Sequence, residues 1–318
     1  MIKLRILLSL LFLVIGLSTS SLQAQSKKKH TPSLLPEQIE RLKAAEDTLA
    51  MIAFLVVNDS IESERFGACR QLITRLVQAL KTPNSFQYPF DRLKSISILA
   101  PPDSSFRIFT WQLYVNDSTY RYYGAIQRNS QDLQLFPLID RSDSLDYKPL
   151  RETLTPDRWY GALYYTIRQF DTKQGRKYLL IGYDAFEFFE KRKLIDVLYF
   201  DEKGQPKFGA PVFQKEKTPR GGTEYRQIYQ YAAESSVRCN WDELYQMVLV
   251  DHLIPIPSPY GRGFMGVPDG SYEGFKLEKG QWKFIEKVFN DFQKEPPSVE
   301  RTVEKDKDIF GKTKKKKQ

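Results

Sequence analysis

Histidine is the side chain best suited to moving protons near neutral pH, and this chain has only His30 and His252. His252 follows Asp251 near the end of MVLVDHLIPIP, the juxtaposition that a general base and its orienting acid would need. That run reads as a strand, in which adjacent side chains point to opposite faces, so Asp251 is poorly placed to orient His252. His30 lies in a polar leader, and no GxSxG elbow supplies a serine nucleophile. Two histidines with Cys69 and Cys239 are a poor set for a four-ligand zinc site. Neither a metal nor a cofactor is expected.

Paired carboxylates are the other route to catalysis, since glycoside hydrolysis needs two acids at a set separation across a cleft. Asp184, Asp196, Glu224, Asp251 and Glu273 interrupt apolar or aromatic runs and are the candidates, although each reads first as part of a solvated face or turn. RGG at 220–222 and YGRGFMG at 260–266 lack the strand-to-helix setting of a phosphate loop and read as flexible loops, the second bordering a cleft. In PDGSYEGF, Pro268, Asp269 and Gly270 supply the residues of a tight turn. PDSSF repeats it with Ser104 in the glycine position, and NDSTY at 116–120 repeats it again. Three copies at irregular spacing indicate hairpin construction. A calcium loop would need several oxygen ligands at fixed close positions.

The elements that must position these residues fall into two textures. Leu35, Ile39, Leu42, Leu49, Ile52 and Val56 recur at helical spacing behind Pro36, and a second helix is expected from NDSIESE, with Asp59 and Glu62 as a capping box, to Pro83. Its apolar stripe is Phe66, Cys69, Ile73, Leu76 and Leu80, which makes Cys69 a buried free thiol, a disulfide to Cys239 being the alternative. From Ser95 the chain turns to short β-branched and aromatic runs separated by Asp, Asn, Gly and Pro. The expected class is α+β: a helical hairpin over 35–82 packed on an extended antiparallel β domain over 83–289, bent into one or two layers. A polar leader over 25–34 precedes it, and a disordered basic tail over 290–318 follows.

The ends govern charge and location. Lys3 and Arg5 precede an apolar run from Ile6 to Leu17 and a small-residue segment closing at Ala24, the pattern of a secretory signal peptide. Export to the periplasm or beyond follows. The formal charge of +9 over 318 residues resembles a nucleic-acid footprint until it is located. Lys3, Arg5, Lys27 to Lys29 and the five lysines between Lys312 and Lys317 exceed it by themselves, which leaves the body near minus one. Nucleic acid is not an expected partner; the lysine tail suits electrostatic contact with an anionic envelope surface.

Aromatic density carries the binding expectation. TYRYYGAIQ and WYGALYYTI hold more rings than one core face needs, so Tyr122, Trp159, Tyr164 and Tyr165 are expected to contact an envelope protein or a glycan. The expected function is a non-enzymatic envelope or secreted binding protein, with a hydrolase using paired carboxylates as the alternative. The phrases TWQLYVNDSTYRYYGAIQ, WYGALYYTI, KLIDVLYFD with FGAPVF, VLVDHLIP, PDGSYEGFKLEKGQW and the late DIFGK resemble a group of exported proteins of Bacteroidota to which no activity is attached. The resemblance spans most of the chain after the signal and implies location and architecture only.

Overall fold

The computed structural model describes residues 33–145, 149–215, 223–261 and 263–289. The expected signal segment, most of the expected leader, the RGG loop at 220–222 and the expected tail lie outside the described residues.

Helix α1 spans Pro36–Asn58. Its first turn is closed by Gln38, whose side chain accepts the Leu35 N–H at 2.9 Å. Leu42, Leu49, Ile52 and Val56 are buried as their spacing predicts, while Leu35 and Ile39 at its start are exposed. Helix α2 spans Glu62–Leu80. Asp59 accepts the Ile61 N–H at 2.8 Å, so it shapes the turn between the helices and does not close the expected capping box with Glu62. Its buried stripe contains Leu72 in place of the expected Ile73, which is exposed.

The strands are β1 (Ser97–Leu99), β2 (Phe106–Asn116), β3 (Thr119–Arg128), β4 (Leu135–Ile139), β5 (Leu163–Thr172), β6 (Gly175–Asp184), β7 (Glu190–Phe200), β8 (Pro206–Phe208), β9 (Phe213–Gln214), β10 (Thr223–Glu224), β11 (Gln227–Ala232), β12 (Cys239–Asp242), β13 (Met247–Pro257), β14 (Phe264–Glu278) and β15 (Gln281–Ile285). They form three sheets: β1-β2-β3-β4; β11-β7-β6-β5 with β8 on the β7 edge; and β10-β9-β15-β14-β13-β12. All pairings are antiparallel except β15 with β9.

Three hydrophobic clusters separate four layers. The first joins the helical hairpin to one face of the four-stranded sheet through Phe109, Trp111 and Leu113. Phe106 and Ile108, the alternate residues of β2, enter the second cluster between that sheet and the middle one. The third lies between the middle and six-stranded sheets and contains Leu179, Ile181, Ile195, Val248 and Trp282. The expected one or two β layers are therefore three. The middle sheet is covered on both faces, which is why the centre of β6 is an unbroken apolar run and that of β7 is apolar on both faces but for the buried Asp196.

Buried polar side chains tie the layers together. Arg65 donates to the carbonyls of Asp59, Tyr114 and Val115, linking α2 to the end of β2. Arg107 donates to Gln127 and to the carbonyls of Ser85 and Tyr88. Glu46 accepts from the Tyr88 hydroxyl and from the Arg92 amide and guanidinium. Cys69 and Cys239 are buried free thiols in different clusters.

Candidate functional site

The four aromatics expected to face a partner do not form a surface. Tyr122, Trp159 and Tyr164 are buried in the second cluster, and Tyr165 packs half-buried against the third. Trp159 Nε1 donates to the Tyr164 hydroxyl at 3.0 Å, the Ala185 N–H donates to the Tyr122 hydroxyl at 2.6 Å, and the Tyr165 hydroxyl donates to the Cys239 carbonyl at 2.7 Å. The expectation is corrected for a simple reason. A third layer demands a second aromatic interior, and these rings fill it.

Asp184 stands at the end of β6 in that same interior. Its Oδ1 accepts the Phe186 N–H at 2.8 Å, and its Oδ2 lies 3.4 Å from the Tyr160 hydroxyl and 4.0 Å from Arg192 Nη1. Burial pushes Asp184 up to about 6, against the opposing pull of the Phe186 amide and Arg192. Asp140 is also raised by burial, while accepting from Ser142 and the Tyr122 amide. The cluster resembles general-acid chemistry in its pKa, yet its hydrogen bonds hold the β6–β7 connection to β3.

Asp196 is fully buried, with Arg226 Nε 3.2 Å from its Oδ1. Arg226 also donates to the carbonyls of Phe208 and Glu152. Burial raises the Asp196 carboxyl and Arg226 opposes that rise. Of the remaining acids, Glu224 accepts from Gln227, Asp251 accepts the Arg238 N–H, and Glu273 lies beside the Tyr229 hydroxyl.

His252 does meet an acid, but not its sequence neighbour. Its Nδ1 is 3.0 Å from Asp269 Oδ2. The pairing of β13 with β14 steps from Asp251↔Tyr272 to Leu253↔Pro268, so residues 269–271 bulge opposite His252. PDGS is thus a bulge within a continuous strand, not the hairpin turn expected; Gly270 has φ of 88°. Asp269 accepts both the N–H and the hydroxyl of Ser271, which hold it down at about 2. Ser271 therefore bonds to the acid and not to the imidazole, the wrong order for a nucleophilic triad. In PDSSF the turn expectation holds: Ser104 has φ of 49° and Asp103 accepts the Ser105 N–H.

The site that sequence reading missed is a cleft of about 680 Å³ at the edge of the third cluster. The middle sheet supplies Lys177 on β6 and Tyr199 on β7; one wall is Ala210 to Val212, and Gln281 opens β15 at the rim. That wall is pinned on both sides. Gly209 N donates to Val197 O, Trp282 N donates to Val212 O, and Arg226 grips the Phe208 carbonyl just before it. Lys177 is 7% exposed, and its ammonium lies 4.2 Å from the centre of the Tyr199 ring. Among the described residues neither this ammonium nor the Tyr199 hydroxyl has a hydrogen-bond or ion-pair partner. Burial lowers the Lys177 pKa. Only one signal pointed here: a lysine directly before the apolar run YLLIG.

Among the described residues, no group of three or more His, Cys, Asp or Glu could hold a metal ion, and no helix is long and apolar enough to cross a membrane. Comparison with protein-family models, with curated proteins and with solved structures returns no match.

Proposed function

We propose that this chain is an exported, non-catalytic binding protein that receives a small ligand in the cleft between the middle and six-stranded sheets. One observation carries the reading. Lys177 and Tyr199 present polar groups that have no partner among the described residues to a concave space of about 680 Å³, within the usual range for small-ligand sites. Export is supported by the Lys3 to Ala24 pattern, and an envelope setting suits the terminal lysines.

Hydrolysis is the second reading, and the observation in its favour is Asp184 at about 6, a value suited to a general acid. Its setting weakens it. Asp184 is buried between sheets, and the two acids that do line the cleft, Asp201 and Glu202, are consecutive residues of one turn. Asp201 accepts the N–H groups of Lys203 and Gln205, so it builds that turn. Two acids from one turn cannot bracket a bond from opposite sides.

Two measurements test the proposal. Amino-terminal sequencing of the fractionated protein should find a mature chain starting close to Gln25; retention of Met1 would refute export. Amide spectra recorded with small-ligand mixtures should shift at Lys177, Tyr199 and Val212, and shifts clustered at Asp184 and Tyr160 with turnover would favour the hydrolase.

A further inference from the structure

Burying an ammonium without a counter-charge is costly, and the face of one tyrosine ring offsets only part of that cost. Asp184 and Asp196 each have an arginine beside them; Lys177 has no carboxylate partner among the described residues. The stem of Lys177 is buried while its ammonium opens to the cleft, so among the described residues the charge is left free for an anion that enters from solvent. In the pairing of β5 with β6, Lys177 stands opposite Phe170, and Tyr199 stands opposite Lys207 on β8, so the ammonium is held by the sheet and not by a loop.

The remaining lining narrows the chemistry. Gln174 and Gln281 bring amides to the cleft, and the Tyr199 hydroxyl adds a donor and acceptor. Those are partners for hydroxyl groups. Ala210, Pro211 and Val212 supply an apolar wall against which the C–H face of a ring can lie. Lys177 and Lys203 stand against Asp201 and Glu202 in the lining, so its charges balance, and a single negative charge seated on Lys177 suits it better than a multiply charged phosphate or sulfate. A lysine ammonium is a point charge that pairs with either carboxylate or phosphate, so the phosphate probe below decides between them.

We infer that the Lys177 cleft binds a carboxylate-bearing sugar, a uronate unit of an acidic glycan, with the carboxylate on Lys177 and the sugar hydroxyls on Tyr199, Gln174 and Gln281. This rests on the binding reading above and specifies the ligand class.

The test is calorimetric titration of the full chain with D-glucuronate, D-glucose, benzoate and inorganic phosphate, repeated on Lys177→Met and Tyr199→Phe. Glucuronate should bind saturably and at least about tenfold more tightly than glucose, the size expected for one charged hydrogen bond. Lys177→Met should lose that preference while melting no lower than the parent, because it keeps the buried stem and removes the buried charge. If Lys177→Met does not fold, Tyr199→Phe must still weaken glucuronate several-fold. Equal binding of glucose and glucuronate would overturn the uronate assignment and leave the binding reading standing. Preference for phosphate or for benzoate would overturn it in the same way. No binding of any of the four probes would overturn both.

Discussion

Arg226 Nε lies 3.2 Å from Asp196 Oδ1, and both side chains are 0% exposed. The pair sits beneath the cleft wall, since the same guanidinium binds the carbonyls of Phe208 and Glu152. Taking one partner away leaves the other charge buried alone. Arg226→Met should therefore destabilise the protein by about 3–5 kcal/mol in denaturant unfolding. Asp196→Leu combined with Arg226→Met should recover a large part of that loss. A double variant no more stable than Arg226→Met alone would show that the carbonyl contacts, not the ion pair, dominate.

Two glycines with nearly equal φ should differ in tolerance. Gly270 has φ of 88° with nothing within 4 Å of an added Cβ, so Gly270→Ala carries only the backbone penalty, about 1 kcal/mol. At Gly209, with φ of 87°, an added Cβ would stand 2.5 Å from Arg226 Nη2 and 2.8 Å from the Glu152 carbonyl oxygen. Gly209→Ala should cost at least about 2 kcal/mol. It should also weaken whatever binds the cleft, because residues 210–212 follow directly. Equal unfolding midpoints for the two variants would contradict the placement of Arg226.

Asp184 gives a pH dependence with a defined sign. Its folded pKa of about 6 lies above the ordinary 3.8, so between those values the folded state holds a proton that the unfolded state has released. That contribution to stability is present at low pH, declines as pH rises through the window, and is gone above about 6. Asp184→Asn carries no such titration. Its stability relative to the parent should rise between pH 4 and pH 6, by on the order of 3 kcal/mol at the full shift. Asp196, shifted the same way, is present in both proteins and cancels in the difference, whereas Asp140, whose charge repels Asp184, is relieved of that repulsion in the variant. A flat difference across that range would place Asp184 in water.

Trp159 separates a core role from a binding role. It is fully buried against Tyr164 and Phe208, so Trp159→Ala should destabilise by about 3–5 kcal/mol. Tyr164→Phe, which removes only the acceptor for Trp159 Nε1, should cost about 1–2 kcal/mol and leave any cleft affinity unchanged. Loss of ligand affinity in Tyr164→Phe at unchanged stability would return these rings to a binding role.

The α+β class, both helices and most strands were readable from the sequence, because helix and strand periods act over a few residues. The left-handed Ser104 was legible for the same reason. CNWD, which forms β12, and PKF, which forms β8, were not, being too short to show a period. What tertiary structure alone decided was which faces meet. Aromatic density reads identically whether a strand borders solvent or a second sheet, so it points Tyr122, Trp159 and Tyr164 to a surface, whereas they fill the interior between the four-stranded and middle sheets. The PDGS bulge, the His252–Asp269 pair, the Asp196–Arg226 pair and the exposure of Lys177 to a cleft all depend on strand register and layer order. Those are set by long-range packing of buried area, a sum over the whole chain that no local spacing contains.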